Sequence, residues 1–333
     1  MPLRIIKRVL LLATVALFAF CVLFVLEFSS PLKISSEKVF FEVEKGKGID
    51  AIAQDLIKKG LIRKKWPFLL GYQLFFYPQT VKAGEYVFSS PLWAKDILDA
   101  FVRGKVYFHP VTIPEGLTAK EISELLPSLG FLPEGDIQEA FSETEAISSW
   151  DRKAWNLEGY LYPETYHFAK GTSMLEIFER MVVQFKAVFH EGWRRRAADL
   201  KMTIREVVTL ASLIEKETSL SEEKRLVSAV FHNRLKLGMK LDCDPTIIYA
   251  LKEKGLFEGR LRNKDLKLDS PYNTYFYPGL PPSPICNPGK ESLEAALYPV
   301  KEKYLYFVSK NDGSHHFSST FSDHLIAVRK YQK

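Results

Sequence analysis

Cysteine is scarce in this 333-residue chain: Cys21, Cys243 and Cys286 are too few for a disulfide framework. Cys21 lies in an apolar run, while Cys243 and Cys286 are equally able to pair or to stay free. A large charge excess is missing too. The formal net charge is +6, and Arg4, Lys7 and Arg8 precede the apolar run, so the remainder is too nearly neutral to argue for nucleic acid. No internal repeat and no low-complexity tract interrupts the chain. Metal-ligand patterns are also lacking. His315 and His316 would point to opposite faces of a strand, and with His324 and Asp323 they find no third ligand at metal spacing. Neither a metal nor another cofactor is expected.

Only one long apolar run is present. Residues 9–26 carry no charge and would span roughly 27 Å as a helix, enough to cross a bilayer. Arg4, Lys7 and Arg8 before it and Glu27 after it place the N-terminus in the cytoplasm and everything beyond residue 30 outside. A cleaved signal ends in small residues. This segment leaves through Leu26-Glu27-Phe28, so it reads as a single-pass anchor in the plasma membrane.

The chain as a whole is 47% hydrophobic, enough to bury one large core or several modest ones. Residues 31–37 read as a linker. Residues 38–108 read as a small α+β module: a strand at Val39–Val43, a helix with Ile49, Ile52, Ala53, Leu56 and Ile57 at helical spacing that stops at Gly60, an apolar stretch at 66–77, a strand at Gly84–Phe88 and a helix near 93–102. The order resembles a LysM domain, a glycan-gripping fold, and equally suits a spacer. Residues 109–333 read as a larger mixed α+β domain. Thr118 with Glu121 and Thr203 with Glu206 make capping boxes. A helix over 222–237 stops at Gly238, 271–289 is a long aperiodic loop, 304–308 alternates like a strand, and Phe321–Tyr331 closes the chain as a helix. The fold class is α+β throughout, with one transmembrane helix.

The most informative side chain is Glu215. At about 100° per residue, Ile204, Val207, Val208 and Ala211 share a helix face, and Glu215 continues it where a Leu would be expected. A carboxyl among apolar neighbours is disfavoured in its charged form and becomes a useful general acid at neutral pH. Glu217 lies about 200° further round and should be dispensable for proton transfer. Glycoside cleavage suits one such acid, although a second carboxylate is not evident nearby. The alternative is a packing acid paired with Arg225 or Arg234. Asp244, before Pro245, reads as a turn or cap residue.

Five ordered segments settle the weighing: EGYLYPETY at 158–166, LASLIEKET at 210–218, DPTIIYAL at 244–251, SPYNTYFYPGLPPSPICNPG at 270–289 and YLYFV at 304–308. Together they resemble the endolytic murein transglycosylase (YceG-like) family, from about residue 38 to the C-terminus. The resemblance implies an enzyme that cuts the β-1,4 bond after N-acetylmuramic acid inside peptidoglycan strands, leaves 1,6-anhydro ends and ends strand growth. It implies Glu215 as catalytic acid and base, with the sugar's own C6 hydroxyl as nucleophile. It also implies that Glu158, Tyr166, Asn273, Thr274 and Tyr275 contribute to substrate binding, and that Glu215 lies at the floor of a groove lined by 273–277. Peptidoglycan synthases are the implied protein partners. The family's closing Glu-His-Asn pattern is replaced here by Asp323-His324-Leu325. Two other readings stand beside this one: a hydrolytic muramidase using water, and a membrane-anchored glycan-binding scaffold without turnover.

Overall fold

The apolar run forms one helix, α1 (Leu3–Ser29), in the computed structural model, which describes residues 3–34, 36–131, 133 and 135–332. Met1 and Pro2 of the cytoplasmic segment, Ser35 of the linker and Lys333 lie outside the described residues. The stretch Ile5–Ser29 is long and apolar enough to cross a membrane. The helix continues past residue 26, so Glu27 is helical and its carboxylate meets Lys64 at 2.7 Å.

The chain divides into two compact units. The first comprises Met1–His109 with His167–Gly171. In it β1 (Val39–Val43) precedes α2 (Ile49–Lys58) and α3 (Lys65–Phe75), and β2 (Gly84–Phe88) precedes α4 (Ala94–Arg103). β1 and β2 pair antiparallel, with Val39 opposite Phe88 and Val43 opposite Gly84. Their inward residues Phe41, Val43, Tyr86 and Phe88 meet Leu56, Phe68 and Phe101 in one core. Gly60 ends the α2 turn with φ of +68°, a conformation that costs glycine little. The last turns of α1 belong to this unit: Phe28 stacks on Phe75, and a Cβ on Gly71 would fall 2.2 Å from the Phe28 ring. Only glycine admits that approach.

The second unit comprises Pro110–Tyr166 and Thr172–Lys333. β3 (Phe108–Thr112) leads to α5 (Ala119–Ser128), α6 (Ile137–Ser142) and α7 (Glu145–Ser148). Then come β4 (Thr165–Ala169), which pairs with β3, and α8 (Met174–Val188), α9 (Glu191–Asp199), α10 (Ile204–Glu217), α11 (Ser221–Lys236) and α12 (Asp244–Glu253). After the long loop the chain ends in α13 (Lys290–Leu297), β5 (Tyr306–Ser309), β6 (His315–Ser318) and α14 (Phe321–Tyr331). The two expected capping boxes form at Thr118 and Thr203. The strand expected at 304–308 begins later, because Asn233 of α11 donates to the Tyr304 carbonyl and Arg234 to that of Leu305. β5 and β6 form a hairpin with Tyr306 opposite Ser318.

α10 is the centre of this unit. α9, α11, α12 and α13 all pack on it, and every residue from Val207 to Ile214 is buried. A helix covered all round has no polar face. The stripe inferred from the sequence is real but is one side of a fully encased rod. Polar groups inside it are satisfied: Ser212 donates to the Thr209 carbonyl and accepts from the Ile285 amide. Leu210 is fully buried, so Leu210→Ala should lower the free energy of unfolding by about 2–5 kcal/mol. A denaturant titration with an unmoved midpoint would contradict an encased α10.

Candidate active site

The capping box starts α10 with reciprocal bonds: Thr203 Oγ1 accepts from the Glu206 amide, and Glu206 Oε2 accepts from the Thr203 amide at 2.7 Å. Twelve positions on, in the last turn, stands Glu215. Its side chain is 9% exposed. Sequence periodicity placed it among apolar groups. The structure instead gives its carboxylate two fixed donors: Lys224 Nζ at 3.3 and 3.4 Å and the Gly289 amide, 3.0 Å from Oε2. The cationic partner is therefore Lys224 of α11. Arg225 pairs with Glu294 and Arg234 with Asp242.

Lys224 is buried, with a side chain 4% exposed, and it serves more than Glu215. Its ammonium also lies 3.9 Å from Glu115 and 3.9 Å from Glu291. A second carboxylate thus stands beside Glu215 after all. Glu115 sits in the turn after β3, half exposed, and its pKa is raised by burial and by the charges of Glu215 and Glu291, against the pull of Lys224. Sequence reasoning took that segment only as the lead-in to a capped helix. Lys224 had a usable signal: with Val227, Ser228 and Phe231 it falls on one helical stripe of α11, the same anomaly that singled out Glu215.

Backbone fixes these carboxylates. Gly116 has φ of +79° and brings its Cα beside Glu215, whose Cγ would lie 3.6 Å from a Cβ there. Its carbonyl accepts from Lys216 at 3.2 Å, and its amide donates to the Asn287 carbonyl at 2.9 Å. Asn287 is buried and clamps the loop to this turn. Its Nδ2 donates to the Leu117 carbonyl and to Glu158 Oε1, each at 2.9 Å, and its Oδ1 accepts from the Leu161 amide.

The other residues expected at the site take different places. Glu158 is 3% exposed and accepts from the Ala119 amide at the start of α5. Burial nonetheless pushes its pKa up to about 8. It supports the Gly116 turn through Asn287 rather than facing an open groove. Asn273 is fully buried. Its Nδ2 donates to the carbonyls of Leu266 and Leu268, and its Oδ1 accepts from the amides of Tyr275 and Phe276. Its amide is thus taken up by its own loop. Thr274, also buried, accepts from the Cys243 amide and meets Thr246. Tyr275 is half-buried and donates to Asp244 at 2.6 Å. Tyr166 donates to the Tyr162 carbonyl at 2.6 Å.

The loop therefore divides its work. Residues 284–289 border Glu215, whereas 273–277 join the start of α12 beside Cys243. Glu217 lies on that second side, with the Cys243 thiol hydrogen-bonded to it, and burial pushes its pKa up to about 7. Cys243 and Cys286 are both free thiols, the latter donating to the Ser212 carbonyl. His315 pairs with Glu223 at 2.7 Å, while His324 stacks on Tyr306. A cavity of about 290 Å³ opens beside Lys216, lined by Thr118, Glu121, Ile248, Tyr249, Lys252 and Phe257 among others.

The chain resembles known proteins along most of its length. Residues 41–330 match the model of the YceG-like family. The chain is 32% identical to the endolytic murein transglycosylase of Bacillus subtilis (strain 168) over 317 residues, 90% of this chain and 86% of that protein. It is 28% identical to the endolytic murein transglycosylase of Streptococcus pneumoniae D39, again over 90% of this chain but 60% of the longer relative. Among solved structures, a yceG-like protein of Listeria monocytogenes superposes with a TM-score of 0.57 at 32% identity, covering 88% of this chain and 99% of that one.

Glu158 sets a pH dependence. Its folded pKa, about 8, lies above the ordinary 4.5, so the folded state keeps a proton that the unfolded state has released between those values. The stabilisation is complete below about pH 4.5 and is lost as pH rises toward 8. Gln at 158 keeps the Oε1 acceptor for Asn287 and cannot titrate. Melting temperatures should fall from pH 5 to pH 8 in the wild type and fall less in Glu158→Gln; parallel curves would refute the buried neutral acid.

Proposed function

This chain belongs to the YceG-like family, and from that premise we propose that it is an endolytic peptidoglycan lytic transglycosylase with Glu215 as its general acid and base. The observation that carries the assignment is the setting of Glu215. It is the first acid of Glu-Lys-Glu-Thr, it terminates an encased helix, and two donors hold its carboxylate. A group that must give and then take a proton needs a fixed position more than mobility.

In the proposed reaction the Glu215 carboxyl protonates the oxygen of the β-1,4 bond after N-acetylmuramic acid while the bond from C1 to that oxygen breaks. Positive charge builds on the sugar ring. The Glu215 carboxylate then takes the proton of the C6 hydroxyl as O6 bonds to C1, giving the 1,6-anhydro end. Acid is regenerated and no water is consumed. Lys224 and the Gly289 amide stabilise the carboxylate present between the two transfers.

The remaining assignments follow the same reading. α1 anchors the protein in the plasma membrane, N-terminus inside, with the catalytic unit facing peptidoglycan. The order β1, α2, α3, β2, with its strands paired antiparallel, supports a LysM-like glycan-gripping role for the first unit. Tyr275 and Tyr166 contribute to the walls that meet substrate, whereas Glu158, Asn273 and Thr274 act through the loops they tie. Cutting within nascent strands ends their growth, which places the enzyme beside peptidoglycan synthases.

Glu215→Gln keeps the shape and removes the titrating proton. Release of anhydro-ended fragments from purified glycan strands, followed by mass spectrometry, should drop by about 10²–10⁴-fold. Release at the wild-type rate would defeat the assignment. Reducing ends without anhydro sugar in the wild-type digest would instead make the enzyme a hydrolase.

A further inference from the structure

Glu115 is the most accessible carboxylate at the Lys224 site that also borders Glu215. The Glu115 side chain is 48% exposed against 9% for Glu215, and one ammonium holds both, at 3.9 and 3.3 Å. Gly289 lies between them. Its amide donates to Glu215, and a Cβ on it would fall 1.9 Å from the Glu115 carboxyl carbon. A side chain at 289 would have to displace the Glu115 carboxylate, and both acids lie against one stretch of backbone. Gly116, the next residue after Glu115, touches Glu215 in turn. Thr118 and Lys216, close in sequence to these acids, line the cavity described above.

We propose that Glu115 is a second carboxylate of the active site, turned toward the sugar whose bond Glu215 cleaves. It supports the positive charge that develops on the ring before the C6 oxygen closes. This rests on the assignment of Glu215 as acid and adds a partner to it. Glu115 forms no covalent bond and moves no proton; its contribution is a fixed negative charge, strongest in the transition state. Lys224 is what makes this possible. It keeps two carboxylates close to each other that would otherwise repel, and leaves the exposed one oriented outward. Glu291 is the internal contrast. It lies at the same 3.9 Å from Lys224, but it belongs to the first turn of α13 and accepts from Ser221 at 2.6 Å, without any contact with Gly116 or Gly289 of the kind that Glu115 has.

The test uses the full-length protein in detergent micelles, purified glycan strands, and three variants, Glu115→Gln, Glu115→Asp and Glu291→Gln, with Glu215→Gln as reference. Glu115→Gln should lower kcat about 10²-fold with KM changed less than about threefold. Glu115→Asp, which restores the charge, should recover part of that loss, and Glu291→Gln should stay within about threefold of wild type. Melting curves confirm that each variant is folded. Wild-type kcat in Glu115→Gln, with Glu215→Gln inactive, would overturn the role of Glu115 alone. Equal losses in Glu115→Gln and Glu291→Gln would also overturn it, showing that only the charge around Lys224 matters. An active Glu215→Gln would instead remove the assignment on which the proposal rests.

Discussion

The ammonium of Lys224 organises everything around Glu215. A lysine this deeply buried is costly unless carboxylates and dipoles surround it, and here three carboxylates from three separate segments converge on it. Each segment is thereby fixed relative to the others: the turn after β3 through Glu115, the end of α10 through Glu215 and the start of α13 through Glu291. The buried pair is Lys224 with Glu215 at 3.3 Å, and breaking it costs far more stability than the half-exposed Glu115 and Glu291, each 3.9 Å away, contribute. The charge count is also asymmetric. Three acids face one base, and at Glu115 burial and the charges of Glu215 and Glu291 raise the pKa against the pull of Lys224.

Asn287 performs the neutral half of the same task. Its side chain joins the Leu117 carbonyl, the Glu158 carboxyl and the Leu161 amide, and its backbone bonds both ways with the turn at 116–117. An aperiodic loop as long as 271–289 would ordinarily be soft. This one is tied at both ends, by Asn273 within itself and by Asn287 to the turn that carries Glu115. The rigid backbone explains how a catalytic group can be placed beside irregular structure without being mobile.

Much of the fold was legible where local chemistry alone decides. Capping boxes at Thr118 and Thr203, the strand Gly84–Phe88 and the closing helix Phe321–Tyr331 appear with the expected residues. β3 escaped because Phe108-His-Pro-Val-Thr carries a proline and buries only Val111, leaving no alternation to read. Of the proposed site, periodicity singled out Glu215, because an acid on an apolar stripe is visible in one helix. It missed Glu115, which sits in a turn and has no period at all. Its partner choice also failed by one residue: Arg225 faces Glu294 on the outside, whereas the inward stripe position belongs to Lys224.

Glu217 shows where a one-helix argument stops. Placing it 200° from Glu215 correctly separates the two acids, and they do meet different neighbours: Lys224 and Gly289 for one, the Cys243 thiol for the other. Residues 207–214 of α10 are buried, with α9, α11, α12 and α13 packed on the helix. Glu215 at its end is 9% exposed and Glu217 is also partly covered, so burial alone does not distinguish the acid proposed as catalytic. What sets Glu215 apart is its setting, with Lys224, the Gly289 amide and the half-exposed Glu115 around it, whereas Glu217 meets the Cys243 thiol. The selection of the acid is thus made by what surrounds the end of α10, not by the helix itself.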